Sequence, residues 1–424
     1  MRKVLLIGHV WPYHTMAGNC IYAIAKYLPE FGWEPIILTT PLDVNIDFSY
    51  QVVEVPYLDV VKTLIGWLGF DTRTSVKKQI SERLSITARK SFLDYAFSLF
   101  NEVLSYPDSR QGWRRPALKK GAELIEQENI KAIITDNPPV LAQLIAKELR
   151  QKYQIPWVVY FSHLWSQNNG YSFGPVRRML DRRLELKTLK HTDLMVTHSD
   201  HQAAKQRALF GEKPVISVFE GFSPEDVNDP PSELTKKFTI TYTGTFAPGL
   251  REPDMLFTAL ENLITAGSVD PSIIEVRFYG TSEIWVESEI EKHGLSRVVR
   301  QFGKVSMEDS HARQRESHLL FNPKWDDPDD PGIYAGKFFE YLAARRPILA
   351  TGKYPDVVDD MLTKTGAGIA SSSVRQTEQI LESMYSEYLV TGVVKFRGET
   401  TMLEKSTHRD LARIFAIELD RLVL

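Results

Sequence analysis

Pro331-Gly-Ile-Tyr-Ala-Gly-Lys-Phe-Phe-Glu-Tyr-Leu-Ala-Ala-Arg-Arg-Pro-Ile-Leu-Ala350 reads as a loop, one helix and a strand. Gly332 and Gly336 flank a segment where the backbone is free to adopt positive φ and approach a ligand closely, since glycine has no Cβ to clash. Lys337 opens the helix. A helix start presents unpaired N–H groups and the positive end of a macrodipole, so a pyrophosphate fits there with the Lys337 ammonium adding a full charge. Glu340 lies three residues on and shares the Lys337 face, so its carboxylate is placed to accept hydrogen bonds from paired sugar hydroxyls. Phe338, Phe339, Leu342 and Ala343 supply the buried side. Arg345 and Arg346 complement the negative helix end, and Pro347 stops the helix before the strand Ile348-Leu349-Ala350.

Working outward, the same alternation of strand and helix recurs on both sides. Val4-Leu5-Leu6-Ile7 is a continuous apolar run of the kind a parallel strand buries on both faces. A helix over Asn19 to Phe31, stopped by Gly32, leads to the strand Pro35-Ile36-Ile37-Leu38, which makes a Rossmann-type unit. Gly8 and Gly18 are ten residues apart, which is not the close-spaced glycine fingerprint of nicotinamide enzymes. Strands at Ala132 to Ile134, Trp157 to Phe161, Leu194 to Thr197 and Val215 to Phe219 continue the pattern, with helices at Ala117 to Gln127, Leu144 to Arg150 and Val176 to Leu189. Residues 58 to about 120 interrupt it with helical patterns rich in Lys and Arg among apolar residues such as Leu64, Trp67 and Phe70. Such a segment reads as an acceptor-side or membrane-surface patch, or as a solvated helical face.

Residues 220–236, dense in Pro, Asp, Glu and Ser, read as a linker. A second alternating unit follows, with strands at Thr239 to Gly244, Glu275 to Gly280, Val298 to Gly303 and Leu319 to Phe321. Leu411, Phe415, Leu419 and Leu422 give the C-terminal segment from Leu403 helical spacing, expected to pack back at the domain junction.

The totals agree with two cores. The 424 residues are 43% hydrophobic and carry a net charge of −3, which disfavours a dedicated nucleic-acid binder. A single cysteine, Cys20, excludes an internal disulfide framework and fits a reducing, cytoplasmic compartment. The apolar run at the N-terminus is too short for a secretion signal, and no stretch approaches the roughly 20 apolar residues of a membrane span. No zinc-ligand spacing or nucleophile elbow is present.

In this order, Pro12 to Gly18, Thr135-Asp136-Asn137-Pro138-Pro139, Pro156 to Trp165, Glu220-Gly221-Phe222, Tyr242 to Arg251 and Gly332 to Pro347 resemble glycosyltransferase family 4 and its group 1 relatives. The resemblance implies an α/β chain of the GT-B fold, with two Rossmann-like doubly wound parallel-sheet domains facing each other across a cleft. On this reading residues 1–222 form an acceptor-side domain with the helical insertion at about 58–120. Residues 223–402 form the nucleotide-sugar domain, and 403–424 the helix at the junction. The implied activity is transfer of a hexose from a UDP-sugar, UDP-glucose in type, to a glycan or lipid-linked glycan acceptor in polysaccharide biosynthesis. It would proceed with retention and without a required metal or other cofactor. The implied location is cytoplasmic, at the inner face of the membrane.

Residue by residue, Lys337 and the backbone of Gly332, Ile333, Tyr334, Ala335 and Gly336 match the family's pyrophosphate clamp, and Glu340 its ribose-binding carboxylate. Gly244 and Thr245 lie in the loop after the second domain's first strand. Arg251 matches the cation beside the departing diphosphate. Gly18 matches the glycine that approaches the phosphates from the first domain. His163 matches the histidine beside the transferred sugar. One departure stands out: the acidic residue commonly found eight positions before Glu340 is Gly332 here. That favours a non-catalytic sugar-nucleotide-binding subunit as the alternative. Asp327 and Asp329, two aspartates one residue apart, give a further alternative, a metal-dependent glycosyltransferase.

Overall fold

Parallel strands buried on both faces make the frame, and the apolar runs of the sequence supply them. The computed structural model describes residues 1–8, 20–42, 48–59, 63, 102, 104–168, 171, 173–228 and 233–424. The chain folds as two compact units, one of residues Met1–Val218 with Ala412–Leu424, the other of Phe219–Leu411. The expected insertion at about 58–120 lies outside the described residues from 60 to 101, residue 63 excepted.

In the first unit β1 (Arg2–Ile7), β2 (Trp33–Thr39), β3 (Gln51–Glu54), β4 (Ile130–Asn137), β5 (Trp157–Phe161), β6 (Leu194–Thr197) and β7 (Val215–Ser217) form one sheet. Its order is β3-β2-β1-β4-β5-β6-β7, and all the pairings are parallel. Leu5 sits opposite Ile36 on one side and Ile133 on the other. All three are fully buried and join Trp113 and Trp157 in one core. Each such side chain contributes about 1.5–3 kcal/mol on leaving water.

The helix expected over Asn19 to Phe31 is described as Cys20–Tyr27 followed by a 3-10 turn, Leu28–Phe31, which Gly32 ends at φ 85°. The helix His408–Val423 supplies the last piece of this unit. Phe415 packs edge-on against Tyr160, and Asp420 accepts hydrogen bonds from Arg2 and, at 2.7 Å, from the Trp33 indole.

In the second unit β8 (Phe238–Thr243), β9 (Ile274–Tyr279), β10 (Val299–Gly303), β11 (Leu319–Pro323), β12 (Ile348–Thr351) and β13 (Gly368–Ser371) form a parallel sheet. The order is β10-β9-β8-β11-β12-β13. From β8 the chain winds outward to β10 and then returns to lay β11 on the other side of β8. The carboxyl ends of β8 and β11 therefore flank the point where the winding reverses, where open parallel sheets leave a crevice for ligands. Phe238, Ile240, Phe257, Phe278 and Phe321 fill one face, and Phe338, Leu342, Ile348 and Leu362 the other.

The segment read as a linker contains a short helix, Pro224–Asn228. Just before it the chain is anchored within its own unit. Phe222 N–H donates to Ser406 O at 3.4 Å and His408 N–H to Phe222 O at 2.9 Å. Gly221, at φ 78°, is required there, because a Cβ would stand 2.6 Å from Ser406 O.

Candidate functional site

The strand β11 ends at Pro323, and after a twelve-residue loop the helix Gly336–Ala344 begins. Ala335, extended at φ −74°, ψ 137°, offers no side-chain acceptor, and the first turn contains no acidic residue. The leading N–H groups are thus without a side-chain cap, and Lys337 stands in the first turn at the positive helix pole. That is an environment for an anion.

Lys337 and Glu340 share a face, as their spacing predicts. Lys337 Nζ lies 2.9 Å from Glu340 Oε1 and 3.1 Å from Oε2. The Glu340 side chain is fully buried, whereas Lys337 remains one-third exposed. Behind the carboxylate stands the helix Met307–Arg315. Its Gln314 amide donates to Glu340 Oε2 at 2.7 Å and to Thr243 Oγ1, at the end of β8, at 2.9 Å. His311 Nε2 is 3.7 Å from the same carboxylate oxygen, and its Nδ1 is 3.9 Å from Asp226. The Tyr341 hydroxyl accepts the Thr243 N–H at 2.8 Å, and burial pushes its own ionisation far above the ordinary range. A buried carboxylate in such a setting is held by its partners, and removing one costs about 3–5 kcal/mol.

Two expectations about this stretch are corrected. Gly332 and Gly336 are not among the described glycines with positive φ, and Gly336 is the first residue of the helix. The turn is shaped instead by rings: Tyr334 stacks on Phe338 at 5.6 Å and meets Phe219 edge-on at 5.8 Å. Arg345 does more than complement the helix pole. It closes the helix in the left-handed conformation, at φ 52°, with its N–H to Leu342 O. Arg346 donates to Arg315 O at 2.7 Å.

From the neighbouring strand end, Gly244 N–H donates to Tyr279 O at 2.8 Å, and Thr245 is exposed just beyond. Gly280, at φ 150°, holds this loop close, since a Cβ there would stand 1.9 Å from Gly244 O. Arg251 closes a tight turn with its N–H to Ala247 O at 2.7 Å, and its guanidinium lies 5.4 Å from the centre of the Trp325 ring. The buried Tyr242 hydroxyl is raised in pKa by desolvation, with Arg251 opposing that rise.

Sequence reasoning missed Lys324, at the start of the loop. It is 3% exposed, and its ammonium is held by Tyr354 O at 2.7 Å and Asp359 at 2.5 Å, with Asp356 at 3.7 Å. It also missed His311 and Gln314. Asp327 Oδ1 accepts the N–H of Asp329 at 2.9 Å, so the acidic loop folds on itself. Among the described residues no group of three His, Cys, Asp or Glu side chains is gathered to hold a metal ion.

In the first unit His163 follows the carboxyl end of β5. Its N–H donates to Asn137 O at 3.0 Å, and its own carbonyl accepts from the Asn137 amide at 2.8 Å. Asp136, beside it at the end of β4, accepts the Ser162 hydroxyl at 2.8 Å. Desolvation lowers the His163 pKa, although the residue is exposed at the surface of the unit. Gly18 lies outside the described residues.

No protein-family model and no curated protein matches the chain. Solved structures do. A glycosyltransferase from Rickettsia africae is 14% identical over 100% of this chain and 96% of its own, with a TM-score of 0.53. A sucrose-phosphate synthase from Thermosynechococcus elongatus is 13% identical, covering 100% and 98%, with a TM-score of 0.55. Anabaena HepE, solved with UDP and glucose, is 12% identical, covering 99% and 95%, with a TM-score of 0.54. At these identities the likeness is one of fold, and the fold is GT-B.

Proposed function

We propose that the chain is a glycosyltransferase that moves a hexose from a UDP-sugar, of the UDP-glucose type, to a glycan or lipid-linked glycan acceptor. The observation that carries this reading is the uncapped start of the helix Gly336–Ala344, with Lys337 and the buried Glu340 behind it. It lies at the reversal point of the second sheet. HepE, similar in fold, was solved with UDP and glucose. In the proposed reaction the bond from the anomeric carbon to the diphosphate oxygen breaks while a bond to the acceptor oxygen forms. The acceptor's proton leaves with the diphosphate. Negative charge growing on that oxygen is stabilised by the helix N–H groups, Lys337 and Arg251. Retention, a place in polysaccharide biosynthesis and work at the inner face of a membrane belong to the same proposal. So does independence from metal, with Asp327 and Asp329 left to the loop.

Calorimetric titration with UDP and GDP, followed by donor turnover with UDP-glucose, tests the reading. Lys337→Ala and Glu340→Ala are expected to weaken UDP binding at least about tenfold each, and EDTA to leave turnover unchanged. Turnover insensitive to both substitutions would overturn the site. The second reading, a non-catalytic subunit that binds sugar nucleotides, rests on Gly332 standing where the resemblance leads one to expect an acid. UDP binding with no turnover of any donor supports it.

A further inference from the structure

The helix Pro175–Leu189 of the first unit is turned inside out. Arg177, Asp181, Glu185 and Thr188, spaced four, four and three apart, lie along its buried face. Arg177 and Asp181 form an ion pair at 3.0 Å with side chains only 5% and 3% exposed. Arg177 also donates to the Ser105 and Pro107 carbonyls at 3.2 and 3.1 Å, and Glu185 accepts the Ser166 N–H at 3.2 Å. With these polar groups turned inward, four apolar side chains face out. Val176 is 67% exposed, Met179 47%, and Leu180 and Leu186 38% each.

Interleaved with them are the exposed Arg183, Lys187 and Lys190. Both carboxylates of the helix, Asp181 and Glu185, point to the interior, so this outward face carries cations and apolar groups and no acid. Near its end the positive field extends to Lys147, His191 and Lys213. After desolvation, Lys187, Lys190 and Arg114 lower the Lys147 pKa against the opposing Glu148, and Lys147, Lys190, Arg150 and Lys213 lower that of His191.

We propose that this outward face docks on an anionic phospholipid bilayer. Apolar side chains set among cations, with no carboxylate to repel phosphate, are complementary to a surface that is apolar below and negatively charged at its headgroups. A solvated protein surface needs no such apolar stripe, and a protein partner of ordinary composition would find no carboxylate on this face for its own cations. No helix among the described residues is long and apolar enough to cross a membrane, so the contact is peripheral. This helix lies outside the basic segment at about 58–120 in sequence, although Arg177 holds the Ser105 and Pro107 carbonyls of that segment, and the inference does not rest on the nucleotide site.

The test is co-sedimentation of the full chain with vesicles of phosphatidylcholine, with and without phosphatidylglycerol. Binding to the anionic vesicles alone, weakened by salt, is expected. Each exposed cation removed should cost about fivefold in partitioning, so Arg183→Gln/Lys187→Gln/Lys190→Gln lowers it roughly a hundredfold. Val176→Ser/Met179→Ser/Leu180→Ser weakens binding at unchanged charge. Thermal unfolding and UDP titration of the same variants should match the unsubstituted chain, which separates a failure here from a failure of the proposed activity. Absence of binding, or binding untouched in both folded variants, would overturn the proposal. So would a concentration-dependent dimer in sedimentation velocity that the serine variant abolishes, because it assigns the face to a second copy.

Discussion

Gln314 donates one amide hydrogen to Glu340 Oε2 at 2.7 Å and another to Thr243 Oγ1 at 2.9 Å. One neutral side chain thus ties the carboxylate of the candidate site to the end of β8, where the Gly244 loop departs. Gln314→Leu is expected to weaken UDP binding about tenfold and to raise the donor KM more than it lowers kcat, since it leaves a buried carboxylate short of a partner. Gln314→Glu places a second carboxylate against Glu340, so that one of the two holds its proton. UDP affinity should then become pH-dependent near neutrality, a dependence absent from Gln314→Leu.

Lys324 answers two carboxylates from a buried position. Burial pushes the Asp356 carboxyl up to about 7, while at Asp359 hydrogen bonds from the Asp356 side chain, Lys324 and the Asp356 backbone outweigh desolvation and hold the carboxyl low. Lys324→Met removes the cation and should destabilise the second unit by about 3–5 kcal/mol. Denaturant melts would read this, and Asp359→Asn in the same chain should restore part of the loss.

Glu185 sets a pH dependence in the first unit. Burial raises its carboxyl to about 7, so the folded chain holds this proton where the unfolded chain has released it. Its contribution to stability is complete below about pH 4.5 and is lost as pH rises to about 7. Glu185→Gln should flatten this fall and gain about 3 kcal/mol at pH 8, on an order-of-magnitude reckoning. Urea midpoints of the two proteins at pH 5 and pH 8 measure it.

Gly280→Ala should cost about 3 kcal/mol, because its Cβ would collide with Gly244 O and the backbone stands at φ 150°. Gly267→Ala is the comparison. Its φ is 76°, and no atom lies within 4 Å of the added carbon. Its thermal midpoint should fall less than that of Gly280→Ala.

Both sheets were legible because buried parallel strands such as Val4–Ile7 and Leu319–Phe321 are unbroken apolar runs, and most intervening helices showed their period, though those at Asp200–Phe210, Val357–Thr365 and Val374–Thr391 were not read. Strands β3 and β13 escaped, since Gln51–Glu54 and Gly368–Ser371 are short edge strands with exposed residues and no such run. At the candidate site the pairing of Lys337 with Glu340 followed from spacing alone. Gln314 and His311 did not, because the helix Met307–Arg315 is polar throughout and only tertiary packing buries Gln314. Gly332 and Gly336 promised an unusual backbone, yet stacked rings at Tyr334 and Phe338 do that work. Lys324 gave no signal, for a single lysine after a strand ordinarily meets water.

The first unit reclaims the last thirteen residues of the chain after the whole of the second has been made, as Ala412–Leu424 returns to it. A fragment ending at Val218 would leave Tyr160 without Phe415 and the Trp33 indole without Asp420. During synthesis, then, the half that emerges first must wait, incompletely sealed, until residues 412–424 have left the ribosome.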